Sequence, residues 1–425
     1  MHQKDNIASV KVTFKTIPHN SRYFYFLSFY SIINLMQDKQ VQKLMQEEKM
    51  RQKNVINLVA SENYVSKDVM MALGSELTNK YAEGYSKFRY YGGNEVVDKL
   101  DDLCRDRALK LFIKKPTERE KWGVNIQALS GSPANLAVYL ALVPLGGKIM
   151  GMMLDHGGHL THGFKASVTG KLWKQVPYGA DKDTEVLDYK ELKKIAIANK
   201  PDIIVAGYTA YPRIVDWKAF RDIADSCGAL FMVDMSHVSG LVAGGAYPSP
   251  FPYADVVTTT VHKTLRGPRS ALIFAKKELI SKIDKAVFPG IQGGPHMNQI
   301  AGVAVALKEA STTIFKKHAK QTVKNAKVFA KELTKLGWRL VSGGTDSHLI
   351  LIDTWMHGAG IGGREASDRL EKEGIIVNKN TIPFDTRSPV DPSGIRVGTA
   401  AETTMGKTEK DFIKIAQRMD KILRK

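Results

Sequence analysis

FRDIADSCGALFMVDMSHVSG, residues 220–240, holds a helix, its stop and a strand in one run. FRDIADSCG reads as a helix ended by Gly228, and ALFMVDM reads as an apolar strand. The same alternation extends both ways. NIQAL (125–129) reads as a strand running into SGSPAN, NLAVYLALV (135–143) as a helix and KIMGMML (148–154) as a strand. ELKKIAIANK (191–200) is a helix pattern ahead of the strand DIIVAGY (202–208). ADVVTTTVHK (254–263) and SALIFAK (270–276) are two further strands. Buried strands alternating with helices predict an α/β fold, a large domain whose mostly parallel sheet is covered by helices. Ligands of such sheets sit at the carboxyl ends of the strands, so polar residues just past those ends are the candidates for chemistry.

Outside this core the patterns change. QDKQVQKLMQEEKMRQK (37–53) reads as a polar amphipathic helix. The tyrosine-rich block TNKYAEGYSKFRYYGGN (78–94) has no period and looks like a functional loop. Residues 96–112 read as a helix with Val97, Leu100, Leu103, Cys104, Ala108 and Leu111 on one face. Helices are expected over 301–311 and 316–336, the second with Lys320, Lys324, Lys327, Lys331 and Lys335 opposite its apolar side, the signature of a solvated face. HLILID (348–353) and REASDRLEKEG (364–374) continue as strand and helix. The expected division is an extension over 1–35, an N-terminal arm over 36–90, a large domain over 91–314 and a smaller α+β C-terminal domain over 315–425.

The 425 residues are 43% apolar and 25% charged, which excludes disordered, collagenous and coiled-coil classes for the whole chain. A chain this long buries its core without disulfide or metal staples, and no metal is expected. Two cysteines, Cys104 and Cys227, are too few for a secreted disulfide framework, which points to a reducing compartment and two buried free thiols. Lys plus Arg is 62 against 43 acids, so the formal charge is +19, which favours anionic partners of any class. YFYFLSFYSIINLM (23–36) is too short, and carries too many polar residues, to span a bilayer. Residues 1–35 set Lys4, Lys11, Lys15 and Arg22 against Asp5 alone, the pattern of a targeting segment or of a plain extension ahead of Met36.

Three strand ends carry chemistry. In SGSPAN, Ser130, Gly131 and Ser132 open a helix, and small residues there let a phosphate approach free N–H groups and the positive end of the dipole. The same residues also serve ordinary capping. Asp234 and His237 follow one apolar strand, where a carboxylate must be paired or act as a helix cap. Thr258, Thr259, Thr260, His262, Lys263, Arg266 and Arg269 follow another. Crowding by His262 and the arginines disfavours the ammonium of Lys263, as an amine nucleophile requires. Together a phosphate cup, a strand-end acid and a strand-end lysine suit pyridoxal phosphate. That cofactor needs a lysine tether, an acid to keep its pyridine nitrogen protonated and a phosphate seat.

With these residues in place the chain resembles the serine hydroxymethyltransferase family of fold-type I pyridoxal phosphate enzymes. The likeness runs from about residue 37 to the C-terminus. It is carried by NLVASENYVS, LTNKYAEGY, RYYGGNE, SGSPAN, GGHLTHG, VDMSHVSGLVA, VVTTTVHKTLRGPR, VFPGIQGGP and SGIRVGT. The resemblance implies that Lys263 tethers pyridoxal 5'-phosphate, flanked by Thr260 and His262, and that Asp234 pairs with the pyridine nitrogen. It implies that His159 stacks on the ring and that His237 and Thr209 hold the phenolic oxygen. Ser130, Gly131 and Ser132 would seat the phosphate, completed by Gly294 from a neighbouring subunit. Arg396, helped by Ser61, would clamp the amino-acid carboxylate. Glu83, Tyr81 and Tyr91 would come from the partner subunit, with Glu83 moving protons and contacting folate. Tyr90, Leu154, Gly158, Leu160 and Asn380 would line the folate site. The implied reaction is the reversible conversion of L-serine and tetrahydrofolate to glycine and 5,10-methylenetetrahydrofolate by a homodimer or tetramer in the cytoplasm, or in an organelle if residues 1–35 are a targeting segment. No DNA partner and no stable membrane association are expected.

Val261 replaces a threonine usual in the family, Ser86–Phe88 replace Pro-Gly-Lys, Ala400 and Glu402 alter the stretch beyond Arg396, and Phe384 sits in the loop after Asn380. These departures bear on folate-site detail rather than on the reaction. A related aldolase on the same fold would keep Lys263 and Asp234 without needing Glu83, Tyr91 and Asn380 together. An RNA-binding role stands behind both as a secondary reading of the charge.

Overall fold

The computed structural model describes residues 36–425, so the targeting-segment expectation for 1–35 lies outside the described residues. The chain falls into two units, Met1–Val55 and Ile56–Lys425. The described part of the first is a helix, α1 (Lys39–Asn54), begun by the Asp38 carboxylate, which accepts from the Gln40 and Val41 amides.

The second unit is built on a seven-stranded sheet. Its strands are β1 (Trp122–Asn125), β2 (Lys148–Met152), β3 (Lys174–Tyr178), β4 (Ile203–Ala206), β5 (Leu230–Asp234), β6 (Val256–Thr260) and β7 (Ala271–Lys276), in the order β1-β7-β6-β5-β4-β2-β3. Strands β6-β5-β4-β2-β3 are parallel, and β7 runs antiparallel to both neighbours. The mostly parallel expectation therefore holds. The parallel strands reach their carboxyl ends along one edge, and the register sets Asp234 opposite Thr258. Among the helices around this sheet are α2 (Glu95–Phe112), α3 (Gly131–Leu142), α4 (Tyr189–Asn199), α5 (Trp217–Cys227) and α6 (Met297–Ala310). Asp188 and Asp216 cap the starts of α4 and α5, and Gly228, at φ +73°, supplies the left-handed residue that ends α5.

Some expectations need correction. NIQAL is a strand only at Asn125, because the Asn125 side chain accepts from the Gln127 amide and turns the chain out of the ladder. On α2, Leu103 is 42% exposed, and the inward position belongs to the fully buried Asp101. Strand β3 was unread: it lies at the sheet edge, alternates in burial and carries Pro177, which an edge tolerates. Both cysteines are free, with Cys104 buried but Cys227 only partly so.

A second sheet, of β8 (Arg339–Leu340), β9 (Leu349–Asp353), β10 (Asn378–Asn380) and β11 (Gly394–Gly398), is antiparallel in the order β8-β9-β11-β10. Helices α7 (Thr313–Lys335) and α8 (Glu409–Leu423) share a core with it through Phe329, Leu333, Phe412 and Ile415. Lys320, Lys324, Lys327, Lys331 and Lys335 of α7 are exposed, as expected of a solvated face, and Lys324 pairs with Glu409.

Candidate active site

The carboxyl ends of β5 and β6 and the start of α3 enclose one cavity. Its walls include Gly131, His159, Thr209, Asp234, His237, Thr260 and Lys263, all seven of them foreseen, together with His162, Tyr208 and Ser236. Beneath it, Gly207 sits at φ +130°, where a Cβ would fall 1.9 Å from the Asp234 carbonyl oxygen.

Asp234 is buried. Burial opposes its charge, but His162, His159 and Asn135 outweigh that and hold the carboxyl well below the usual carboxylate range. Asn135 Nδ2 donates to Oδ2 at 2.8 Å, and the Ser236 amide donates to Oδ1 at 3.1 Å. Thr258 Oγ1 donates to Asn135 Oδ1 at 2.7 Å, which orients that amide. His162 Nε2 lies 3.5 Å from Oδ2, an electrostatic contact without hydrogen-bond alignment. The result is a fixed anion at the cavity wall.

Lys263 carries the opposite tuning. Burial lowers its pKa to about 8, with Asp234 pulling upward and Arg396 and Arg269 pushing down. His262 beside it is kept neutral, its pKa lowered to about 3 by burial and by Lys263. His159 is lowered to about 4 by burial and His162, and its Nδ1 accepts from the Thr161 amide at 3.2 Å.

Arg396, on β11, is buried, and burial lowers its pKa to about 10. Its Nε donates to Asn378 Oδ1 at 3.0 Å and its Nη1 to the Thr209 carbonyl at 2.6 Å, so the second sheet hands a guanidinium to the loop after β4. Ser61 follows Ala60, whose carbonyl contacts His348 at 3.1 Å.

Other predicted residues gather elsewhere. Tyr81 Oη donates to Glu83 Oε1 at 3.3 Å, and Tyr81 and Tyr91 pack edge to face at 5.3 Å. A Cβ on Gly294 would lie 3.2 Å from the Tyr81 ring, and one on Gly293 would lie 3.3 Å from Glu83 Oε1. Tyr81, Glu83, Tyr91 and Gly294 thus form one patch, and none of them lines the Lys263 cavity of the same chain. Tyr90 is 74% exposed and packs on Phe288. Leu154, Gly158 and Leu160 follow β2. Gly158 is needed there because a Cβ would meet the Met152 carbonyl at 2.1 Å. Asn380 ends β10, and Phe384, at φ +59°, packs on His156 at 4.6 Å.

The sequence reading missed His162, Asn135, Asn378 and His348. His162 and Asn135 stood inside quoted motifs, GGHLTHG and SGSPAN, and were findable as the next polar residue on the same loop or turn. Asn378 and His348 come from the second sheet and gave no local signal.

Pyridoxal phosphate fits this donor set. Buried His237 Nε2, Thr260 Oγ1 and both ring nitrogens of His162 have no hydrogen-bond partner among the described residues, as a polar ligand would require. Gly131 leaves the start of α3 open, since a Cβ there would crowd the Thr260 methyl at 2.8 Å. A family model described as serine hydroxymethyltransferase matches residues 35–419. The serine hydroxymethyltransferase of Desulfotalea psychrophila (strain LSv54 / DSM 12343) is 51% identical over 387 residues, which cover 91% of this chain and 89% of that protein.

Proposed function

The chain belongs to the serine hydroxymethyltransferase family, and from that membership we propose how its own residues divide the work. The enzyme uses pyridoxal phosphate to interconvert L-serine plus tetrahydrofolate and glycine plus 5,10-methylenetetrahydrofolate. When bound, the cofactor supplies an aldehyde for an amine tether and a ring that withdraws electrons from the amino acid.

One observation carries the assignment of the centre: a lysine whose pKa is lowered and a fixed carboxylate border the same cavity. Lys263 Nζ serves as the tether, since its lowered pKa keeps a useful share uncharged near neutrality. Asp234 holds a proton on the ring nitrogen, locked in place by Asn135. His159 covers the ring face, and His237 with Thr209 holds its phenolic oxygen. Ser130, Gly131 and Ser132 seat the phosphate at the start of α3. Thr260 and His262 flank the lysine, His262 as a neutral base. Arg396 clamps the substrate carboxylate with Ser61, and the Thr209 and Asn378 contacts hold its fork in a bidentate-ready pose.

Glu83, Tyr81, Tyr91 and Gly294 act in a second subunit's site. Their clustering away from the cavity of their own chain supports this reading, which makes a dimer the smallest complete unit and leaves a tetramer open to it. Tyr90, Leu154, Gly158, Leu160 and Asn380 line the folate site. A large cofactor domain over 91–314 and a smaller domain over 315–425 are supported by apolar clusters that divide near that point. No helix among the described residues is long and apolar enough to cross a membrane, and a cytoplasmic location is the reading we favour.

The test is chemical. Borohydride reduction of the purified holoenzyme, followed by peptide mapping, should find the cofactor on Lys263. Glycine formation from serine should require tetrahydrofolate. Label on any other lysine, or folate-independent turnover at the same rate, would overturn the reading.

A further inference from the structure

The buried imidazole of His348 has no part in the division of work above, yet it lies against the site. It immediately precedes β9, and its carbonyl accepts from the Thr399 amide at 2.9 Å, just past the strand that bears Arg396. Its ring stacks on His237 with centroids 5.6 Å apart and planes inclined by 22°. His348 Nε2 lies 3.1 Å from the Ala60 carbonyl and 3.5 Å from His237 Nδ1. His348 Nδ1 is buried and has no partner among the described residues.

These contacts determine where two protons sit. A carbonyl oxygen only accepts, so the nitrogen facing it carries the hydrogen. Burial keeps His348 neutral, its pKa lowered to about 3. Its single ring proton is therefore on Nε2, and that N–H is turned toward both Ala60 and His237 Nδ1. A proton on His237 Nδ1 would set two hydrogens against each other, so that nitrogen presents its lone pair. His237 is also neutral, through burial and the nearby charges of Lys263 and Arg396. Its one proton is left on Nε2, the buried, unpartnered atom of a residue that lines the Lys263 cavity.

We propose that His348 is a positioning residue that fixes His237 in the Nε2–H tautomer, so that His237 always offers a hydrogen-bond donor to an oxygen of the cofactor or of the substrate. The usefulness of that donor rests on the reading of His237 given above, but the tautomer itself is measurable without it. The same ring contacts the residue before Ser61, so one side chain ties together the Ser61 segment, the Arg396 sheet and the β5 end.

The test uses full-length enzyme, with and without cofactor, carrying 15N in its histidine rings, with His237 signals assigned by their loss in His237→Asn. Two-bond proton–nitrogen spectra should show His237 as the Nε2–H tautomer in the wild type. His348→Phe keeps a stacking ring but removes the donor, and should yield a mixture containing the Nδ1–H form. His348→Gln keeps an N–H near the same place and should restore the wild-type pattern. The KM for serine should rise about tenfold in His348→Phe, the loss of one directed hydrogen bond, with a smaller change in kcat and recovery in His348→Gln. An Nδ1–H tautomer in the wild type, or an unchanged tautomer in His348→Phe, overturns the proposal. If the phenylalanine variant does not fold, His348→Leu, which also lacks the donor, takes its place with the same two outcomes. A shifted tautomer with unchanged serine KM would leave the positioning intact and assign the His237 donor to the cofactor oxygen rather than to the substrate.

Discussion

Lys263 sits between opposing fields. Burial disfavours its charge, Asp234 favours it, and Arg396 and Arg269 tip the balance to a pKa of about 8. In cofactor-free enzyme an amine-selective reagent should modify Lys263 with a midpoint at about pH 8, read by mass spectrometry of the labelled peptide. A midpoint above about 10, the ordinary lysine range, would contradict the electrostatic account. The linkage has a definite sign. The folded pKa lies below the unfolded value of 10.5, so between about pH 8 and 10.5 the unfolded chain binds more protons and stability rises with pH. Cofactor-free Lys263→Met should therefore melt above the wild type at neutral pH, with the gap closing as the buffer passes the upper end of that window.

Helix α2 shows how an element serves the site from a distance. Asp101 is fully buried on it and pairs with Arg89 at 3.0 Å and Arg105 at 2.5 Å. Arg89 Nη1 in turn donates to the Ala82 and Gly84 carbonyls at 2.9 and 2.7 Å, gripping the chain on either side of Glu83. Asp101→Ala leaves Arg105 without its carboxylate and Arg89 with Asp98 alone, and should cost about 3 kcal/mol, measured as a lowered denaturant midpoint. An unshifted midpoint would mean the network is dispensable. The helix was legible because Val97, Cys104, Ala108 and Leu111 keep the period. Asp101 was not, because its i,i+4 pairing with Arg105 has the pattern of a surface pair and its second partner, Arg89, comes from an aperiodic loop. The site divides the same way. Asp234 and Lys263 could be read because a strand end announces them. Asn378 and His348 could not, because only the docking of a second sheet brings them there. The limits of β1 were misread because a single side-chain turn at Asn125 ends the ladder although Ile126, Ala128 and Leu129 continue the apolar pattern beyond it.

At the scale of the whole molecule, the separation of Glu83 from the cavity of its own chain predicts complementation. Oligomers of Lys263→Ala and of Glu83→Gln should each be nearly inactive. Dissociated, mixed and reassembled, they should regain roughly a quarter of wild-type activity, because about half of random dimers are mixed and each holds one intact site. No recovery would place Glu83 in its own chain's chemistry.

Gly207 has a consequence of a different kind. Its left-handed backbone, and a carbonyl where a side chain would begin, leave no amino acid but glycine able to stand under the acid. A saturation library selected for growth in medium that lacks glycine, in a strain with no other source of it, should return one residue at that codon and many at exposed Leu145, so the floor of the pocket is a place where inheritance has no room to drift.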